Sequence, residues 1–292
     1  MNVSSVLVEK PIPKRPLGST GEMVSLLGVG GFHIGEHSDP KVGIQIIRTA
    51  IDNGVNFMDN AWCYHNGRSE EVMGKALKDG YRKKVFISTR NHGRDYATYQ
   101  KQLSDSLKRL QTEYIDLVQF HEINSDGLPN KIFEDGAIDA AIEAKEQGKI
   151  RYIGFSGHKW PKLFLEMLNK DFKWDTVQLP QNVMDYHYRS FAKQIVPRLV
   201  KKNIGIIGMK SLGGGPGGNF VKTGTLKSEE CIRYAMSQPI STLVSGMDSM
   251  EVLEKNLKIA SGFIPMSDEE KRVLLAKSKL FAENARYEWY KQ

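Results

Sequence analysis

The chain has 292 residues, 40% of them hydrophobic and 26% charged, with a formal net charge of +7. That balance excludes an intrinsically disordered chain, and the lack of any run of about 18 apolar residues excludes a membrane-spanning helix. The two cysteines, Cys63 and Cys231, are far apart and lack CxxC spacing, so a disulfide scaffold or cysteine-rich metal centre is not expected and a reducing cytoplasm is.

The opening MNVSSVLVEKPIPKRP lacks the charged-then-apolar pattern of a secretory leader. RPLG and EMVS, with Gly18 and Gly21 between them, predict a small hairpin. LLGVGG (26–31) predicts a first buried strand, and a helix follows from Pro40 with Asp39 as its N-cap. VNFMD leads to a helix opening at Ser69, and KVFIST to a helix over YATYQKQLSDSLKRL, where Leu103, Leu107 and Leu110 recur at helical spacing. YIDLVQFH (114–121) leads to AIDAAIEAKEQG, KIRYIGFS to LFLEMLNK, and DTVQLP to FAKQIVPRLVKK. IGIIGM leads to EECIRYAMS, ISTLVSG to MEVLEKNLKIA, and a last helix starts at Ser267, where Ser267 and Glu270 form a capping box. No linker or composition shift divides the chain, so residues 1–292 read as one domain. Eight strand-then-helix units predict an α/β fold: a closed (β/α)8 TIM barrel with an N-terminal β-hairpin and an extra C-terminal helix. Basic residues gather only in short pairs such as Lys83-Lys84 and Lys201-Lys202, with no interleaved aromatics, so no nucleic-acid partner is expected; the basic balance also suits a phosphate-bearing ligand.

Barrels of this kind place their chemistry at the C-terminal strand ends. Those positions are Gly30, Gly31 and His33; Asp59 and Tyr64; Arg90; His121 and Glu122; Ser156 and His158; Gln178 and Asn182; Met209, Lys210 and Ser211; and Ser245, Gly246 and Asp248. A tyrosine, a carboxylate, a cation and a histidine on adjacent strands point to proton transfer. Free tyrosine, with a pKa of about 10, is a poor acid or base, and a nearby cation favours its phenolate. Asp59 would hold Arg90, Arg90 would tune Tyr64, and His121 would bond the substrate oxygen or the tyrosine. Such a site protonates a carbonyl oxygen as hydride reaches carbon, and no side chain donates hydride, so a nicotinamide cofactor is implied. Ser156, Gln178 and Asn182 are candidate carboxamide partners. Lys210 and the glycine-rich LGGGPGGN (212–219), opened by Leu212 and Gly213, are candidate pyrophosphate contacts with the backbone at Gly246.

These stretches resemble the aldo-keto reductases across nearly the whole chain. RPLGSTGEMVSLLGVGG is similar to that family's hairpin and first strand, and GVNFMDNAWCYHNGRSEEVMGKAL to its most specific signature. LKRLQTEYIDLVQFH resembles the segment with its catalytic histidine, and GKIRYIGFSGH the strand whose serine touches the nicotinamide amide. The resemblance implies a barrel that binds NADP(H) or NAD(H) and interconverts a small carbonyl and an alcohol, with Asp59, Tyr64, Arg90 and His121 as the catalytic set. It implies cofactor contacts at Gly30, Gly31, Ser156, Gln178, Met209, Lys210, Ser211, Leu212, Gly213, Gly246, Asp248 and Asn256.

Three positions depart from the family pattern: Arg90 replaces an expected lysine, Gly157-His158 follows Ser156 where asparagine is usual, and Met209 stands where many members stack an aromatic ring. GMDSMEVLEKN resembles the adenosine-binding loop, with Gly246 and Val252 where members selective for a 2′-phosphate carry Lys or Arg. Asp248 nearby disfavours that phosphate, while Lys255 or Lys258 can still reach it, so both dinucleotides stay open. The alternative function is a dinucleotide-binding sensor or regulatory barrel, of the kind that partners channels, because a guanidinium does not simply replace an ammonium. His33, His121, His158, His187 and Asp248 superficially suit a metal-dependent hydrolase, but the first strand lacks paired histidines and no metal is expected. Cys63 reads as structural, and the short tail beyond the last helix predicts an open pocket.

Overall fold

The computed structural model describes residues 8–214, 220–282 and 285–292. Among the described residues ten strands are formed, β1 (Lys14–Pro16), β2 (Met23–Ser25), β3 (Leu27–Gly30), β4 (Phe57–Asp59), β5 (Phe86–Asn91), β6 (Ile115–Phe120), β7 (Ile150–Ser156), β8 (Thr176–Pro180), β9 (Gly205–Met209) and β10 (Thr242–Gly246). The first two make the expected antiparallel hairpin, Arg15 opposite Val24. The other eight are parallel and close into a barrel in sequence order, β10 pairing with β3. The strands are short and almost wholly buried, as apolar runs flanked by helices must be.

The helices start where their caps dictate. The Asp39 carboxylate accepts from Lys41 N at 2.9 Å ahead of Pro40, Asp95 accepts from Thr98 N at 2.9 Å, and Ser267 and Glu270 close the predicted capping box. Three local features differ from the sequence reading. The helix expected over FAKQIVPRLVKK breaks into Phe191–Gln194 and Val196–Lys201, because Pro197 has no N–H and fits only a first turn. A helix at Leu128–Glu134 and a single turn at Gly31–Ile34 were not predicted.

The hairpin seals the bottom of the barrel. Leu17 and Val24 pack in one apolar cluster with Phe57 and Phe86, which open β4 and β5, and with Leu117, Ile207 and Val244 from the middle of their strands, the Phe57 and Phe86 rings stacked at 5.6 Å. Gly18, at φ +55°, lies so close to β9 that a Cβ would sit 2.2 Å from Gly205 N. Above this apolar floor the interior turns polar. Gln119 on β6 donates to Ser88 Oγ on β5 at 3.1 Å and to Gln178 Oε1 on β8 at 2.7 Å, bridging the barrel beneath the strand ends.

Candidate active site

Register places Asp59 level with Gly30 and Ser88, and Arg90 level with Gln119, so β4, β5 and β6 present adjacent termini. After Asp59 the chain is held to β5 by Asn60 N on Ser88 O at 2.8 Å and Trp62 N on Arg90 O at 2.9 Å. It then turns sharply through His65 and Asn66, both left-handed at φ 49° and 55°, which aims Tyr64 at the barrel mouth.

Arg90, 3% exposed, donates from Nη2 to Asp59 Oδ2 at 2.5 Å and from Nε to Asn60 O at 2.9 Å. Its Cζ lies 5.0 Å from the centre of the Tyr64 ring. The His121 ring stands 6.0 Å from Tyr64, nearly perpendicular. Phe32 covers Tyr64 edge-on at 5.1 Å. The four predicted side chains are therefore together, Asp59, Arg90 and His121 buried and Tyr64 half-buried above them.

Electrostatics follow from that burial. Desolvation pushes the Tyr64 phenol up to about 12, with Arg90 opposing the rise. Desolvation also raises the Asp59 carboxyl, to about 6, against the pull of Arg90. Burial works against the charge of Arg90, but Asp59, Tyr64 and Cys63 outweigh it and raise its pKa, so the guanidinium stays charged. Burial first, and then the Arg90 charge, hold His121 well below the usual imidazole value. At neutral pH the site therefore contains a phenol that keeps its proton, a permanent cation and a neutral imidazole.

The predicted cofactor residues line the other half of the rim. Ser156 and Gln178 face each other across β7 and β8. The Ser156 hydroxyl has one weak partner, Phe120 O at 3.5 Å, and Gln178 Nε2 is buried with no partner. These are open donors of the kind an amide ligand satisfies, so the residues present fit a nicotinamide carboxamide. Met209, 7% exposed, ends β9, and Lys210 (φ 57°), Ser211, Leu212 and Gly213 follow it. Of the glycine-rich stretch, residues 215–219 lie outside the described residues. Gly30 and Gly31 border the rim beside Gly246, where a Cβ would strike the His33 ring at 2.3 Å. Asn256 reaches back to Ser245 Oγ at 3.1 Å, and Asp248 is exposed at the start of the same loop.

Several expectations need correction. Asn182 is not a free carboxamide partner: its Nδ2 donates to Lys210 O, Glu288 Oε1 and Tyr290 OH at 3.1–3.2 Å, and its Oδ1 accepts from Met184 N and Asp185 N. The chain end does not leave an open mouth, because the tail folds onto the strand ends. Lys291, 0% exposed, donates to Asp185 Oδ1 at 2.6 Å, Tyr188 O at 2.9 Å and Glu288 Oε2 at 3.1 Å. Tyr290 lies under the Lys210 ammonium, 4.7 Å from its ring centre, and beside His158 at 5.3 Å. Where asparagine is usual after the serine, the neighbouring strand end contributes Asn124, whose Oδ1 accepts from His158 N at 3.1 Å.

Sequence reasoning also missed residues. Arg94 donates to His121 O, and burial pulls its pKa down to about 10. His92 stands next to His121, ring centres 4.4 Å apart, with Nε2 3.2 Å from Cys63 Sγ. Among the described residues, His33, His158, His187 and Asp248 join no cluster with metal-ligand spacing, whereas Cys63, His92 and His121 do.

The profile of the Aldo/keto reductase family matches residues 26–229. The chain belongs to this family. It is 29% identical to aldo-keto reductase AFTS1 of Alternaria alternata over 256 residues, 73% of this chain and 68% of that protein. It is 26% identical to L-galactose dehydrogenase of Arabidopsis thaliana over 289 residues, 84% of this chain and 87% of the relative. The solved structure of aldo-keto reductase AKR11C1 from Bacillus halodurans superposes with a TM-score of 0.77 at 22% identity, covering 96% of this chain and all of that one. A Klebsiella pneumoniae aldo/keto reductase solved in complex with NADP and acetate superposes at 0.72 with 20% identity, covering 94% and 96% of the two chains. The aldo-keto reductase barrel predicted from the sequence is thus present, in a family of oxidoreductases. No helix among the described residues is long and apolar enough to cross a membrane.

Proposed function

We propose that this aldo-keto reductase, one barrel domain over residues 1–292, uses NAD(P)H to interconvert a small aldehyde, ketone or sugar with an alcohol in the cytoplasm, Tyr64 moving the proton. The observation that carries the reading is the packing of the half-buried Tyr64 ring against Arg90, which is itself paired with Asp59, at the edge of the neutral His121 ring. A nicotinamide, when bound, supplies or accepts the hydride. Ser156 Oγ and Gln178 Nε2 would hold its carboxamide, and Met209 would offer it an apolar face. Lys210, Ser211, Leu212 and Gly213 would receive the pyrophosphate with the backbone at Gly30, Gly31 and Gly246. Asp248 and Asn256 would flank the adenosine end, with Lys255 and Lys258 on the helix that follows, so both dinucleotides stay open.

His121, kept neutral, orients the substrate oxygen, and Tyr64 gives that oxygen its proton. The tyrosinate left behind is stabilised by Arg90, whose position Asp59 fixes. With Tyr64 raised to about 12, the proton donor is fully loaded at neutral pH while the phenolate base is scarce. Carbonyl reduction should therefore hold a level kcat from about pH 7 to 9, while alcohol oxidation rises about tenfold per pH unit. Parallel pH profiles of the two directions check this.

Burial pulls the Lys210 ammonium down to about 8, with Arg90 adding to the fall. An anionic pyrophosphate binds the protonated form better, so dinucleotide affinity should weaken as pH rises through about 8. Fluorescence titrations should lose that slope in Lys210→Met.

A second reading, a dinucleotide-holding regulatory barrel, is favoured by the Lys residue replaced by Arg90 and by the tail over Lys210. Over 117 residues, 36% of this chain, the sequence is 38% identical to a probable voltage-gated potassium channel subunit beta of Oryza sativa subsp. japonica. The deciding experiment is steady-state oxidation of NADPH and NADH with a panel of small aldehydes, ketones and sugars, with dinucleotide binding measured separately. Turnover supports the first reading. Binding without turnover, in the wild type and in Arg90→Lys, supports the second.

A further inference from the structure

Cys63, His92 and His121 meet at the mouth of the barrel from three different elements. Cys63 lies in the turn after β4, His92 just beyond β5 and His121 just beyond β6. Cys63 Sγ is 3.2 Å from His92 Nε2 and 3.8 Å from His121 Nδ1, and all three atoms lie within 4.8 Å of one another. Zinc bonds of about 2.3 Å to sulfur and 2.0–2.1 Å to nitrogen, at a tetrahedral angle, put sulfur and nitrogen about 3.5 Å apart. The two sulfur–nitrogen distances bracket that edge. Cys63 and His92 are half-buried and His121 is buried, so the open face of the triad is reachable from solvent.

We propose that Cys63, His92 and His121 form a binding site for a thiophilic divalent transition metal such as Zn2+, with three protein ligands and a fourth position open to water. The donor set is soft sulfur plus two imidazoles, which suits zinc, copper or cobalt rather than calcium or magnesium. Burial lowers both imidazole pKa values, leaving neutral rings with lone pairs for a metal. Burial likewise raises the Cys63 thiol, so the thiol would bind by releasing its proton to solvent as the metal–sulfur bond forms. Arg90 and Arg94 bear on the site as repelling cations, and Glu122 offsets them, acting on both Cys63 and His92. Because the proposed ion takes His121, occupation of this site would silence the activity proposed above; binding itself does not depend on that reading.

The test uses the untagged full chain under reducing conditions, with Co2+ as a spectroscopic probe and Zn2+ as competitor. One Co2+ per chain is expected, with tetrahedral d–d bands and a thiolate charge-transfer band that Zn2+ abolishes. Loss of an outer-shell partner alone costs about 10–100-fold in metal affinity, so loss of a ligand in Cys63→Ser or His92→Gln should cost at least about 100-fold. A measurement on the unaltered chain guards against misfolded variants: Zn2+ should slow alkylation of Cys63 by iodoacetamide, read by peptide mass, while the fully buried Cys231 serves as the internal reference. Co2+ binding without the thiolate band, binding unchanged in both variants, or Cys63 alkylation unaffected by saturating Zn2+ would each overturn the site.

Discussion

Arg90→Met is expected to remove about 3–5 kcal/mol of stability and nearly all carbonyl turnover. The stability loss follows from burial. Asp59 is 1% exposed and its Oδ2 is paired with Arg90, while its Oδ1 has no hydrogen-bond partner. Removing one member of a buried pair leaves the other charge uncompensated, at about 3–5 kcal/mol. The pH dependence of the loss gives it a signature. Asp59 already titrates near 6 in the folded protein, and without Arg90 its pKa rises further. A carboxyl raised in the folded state favours folding below its unfolded pKa, and that advantage disappears as pH climbs through the folded value. The deficit of Arg90→Met relative to the wild type should therefore be larger at pH 8 than at pH 5 in urea titrations. Turnover falls for a separate reason, since the tyrosinate formed on proton transfer loses its neighbouring cation. Arg90→Lys should recover much of the stability, but an ammonium cannot reach Asp59 Oδ2 and Asn60 O with the geometry of a guanidinium, so the recovery should be incomplete.

Lys291→Met should release the C-terminal tail from the barrel. Lys291 is fully buried among Asp185, Glu288 and the Tyr188 carbonyl, so the substitution strands two carboxylates, again at about 3–5 kcal/mol. The two are not equally trapped. Asp185 keeps donors from Ser190 Oγ, Phe191 N and Ala192 N, whereas Glu288 belongs to the tail and reaches water if the tail lifts away. Local undocking is therefore the expected response, ahead of global unfolding. Hydrogen exchange at the Glu288 and Lys291 amides, which donate to Ala285 O and Glu288 O, should accelerate by about a hundredfold or more. Exchange as slow as in the wild type would show that the ion cluster does not hold the tail. Undocking also frees Asn182 and Lys210, so under the proposed function dinucleotide affinity should rise.

The barrel was legible because its signals are local. Each strand is an apolar run with a helix behind it, and caps such as Asp39 and Ser267 act within three residues of themselves. The catalytic group was legible for a different reason: parallel strands in sequence order bring consecutive termini together, so Asp59, Arg90 and His121 had to be neighbours once a closed barrel was expected. What stayed hidden depends on partners far along the chain. Glu288 and Lys291 carry no local sequence signal, and their burial depends on Asp185, 106 residues from Lys291. Asn182 read as a ligand donor because its tail partners, Glu288 and Tyr290, could not be foreseen. Cys63 read as structural because no local pattern links it to His92, 29 residues away and beyond the end of β5. The order of strand ends carried the signal that would have found it, since the residues after β4, β5 and β6 face one another.

The central claim is that Tyr64 moves the proton, and Tyr64→Phe tests it most directly. The substitution deletes one hydroxyl and leaves the ring beside Arg90 and Phe32. With kcat and dinucleotide affinity measured on the same preparation, the expected result is a kcat about 10²–10⁴-fold lower, in line with loss of a general acid, and an unchanged affinity. A Tyr64→Phe enzyme that reduces carbonyls at the wild-type rate would contradict the account.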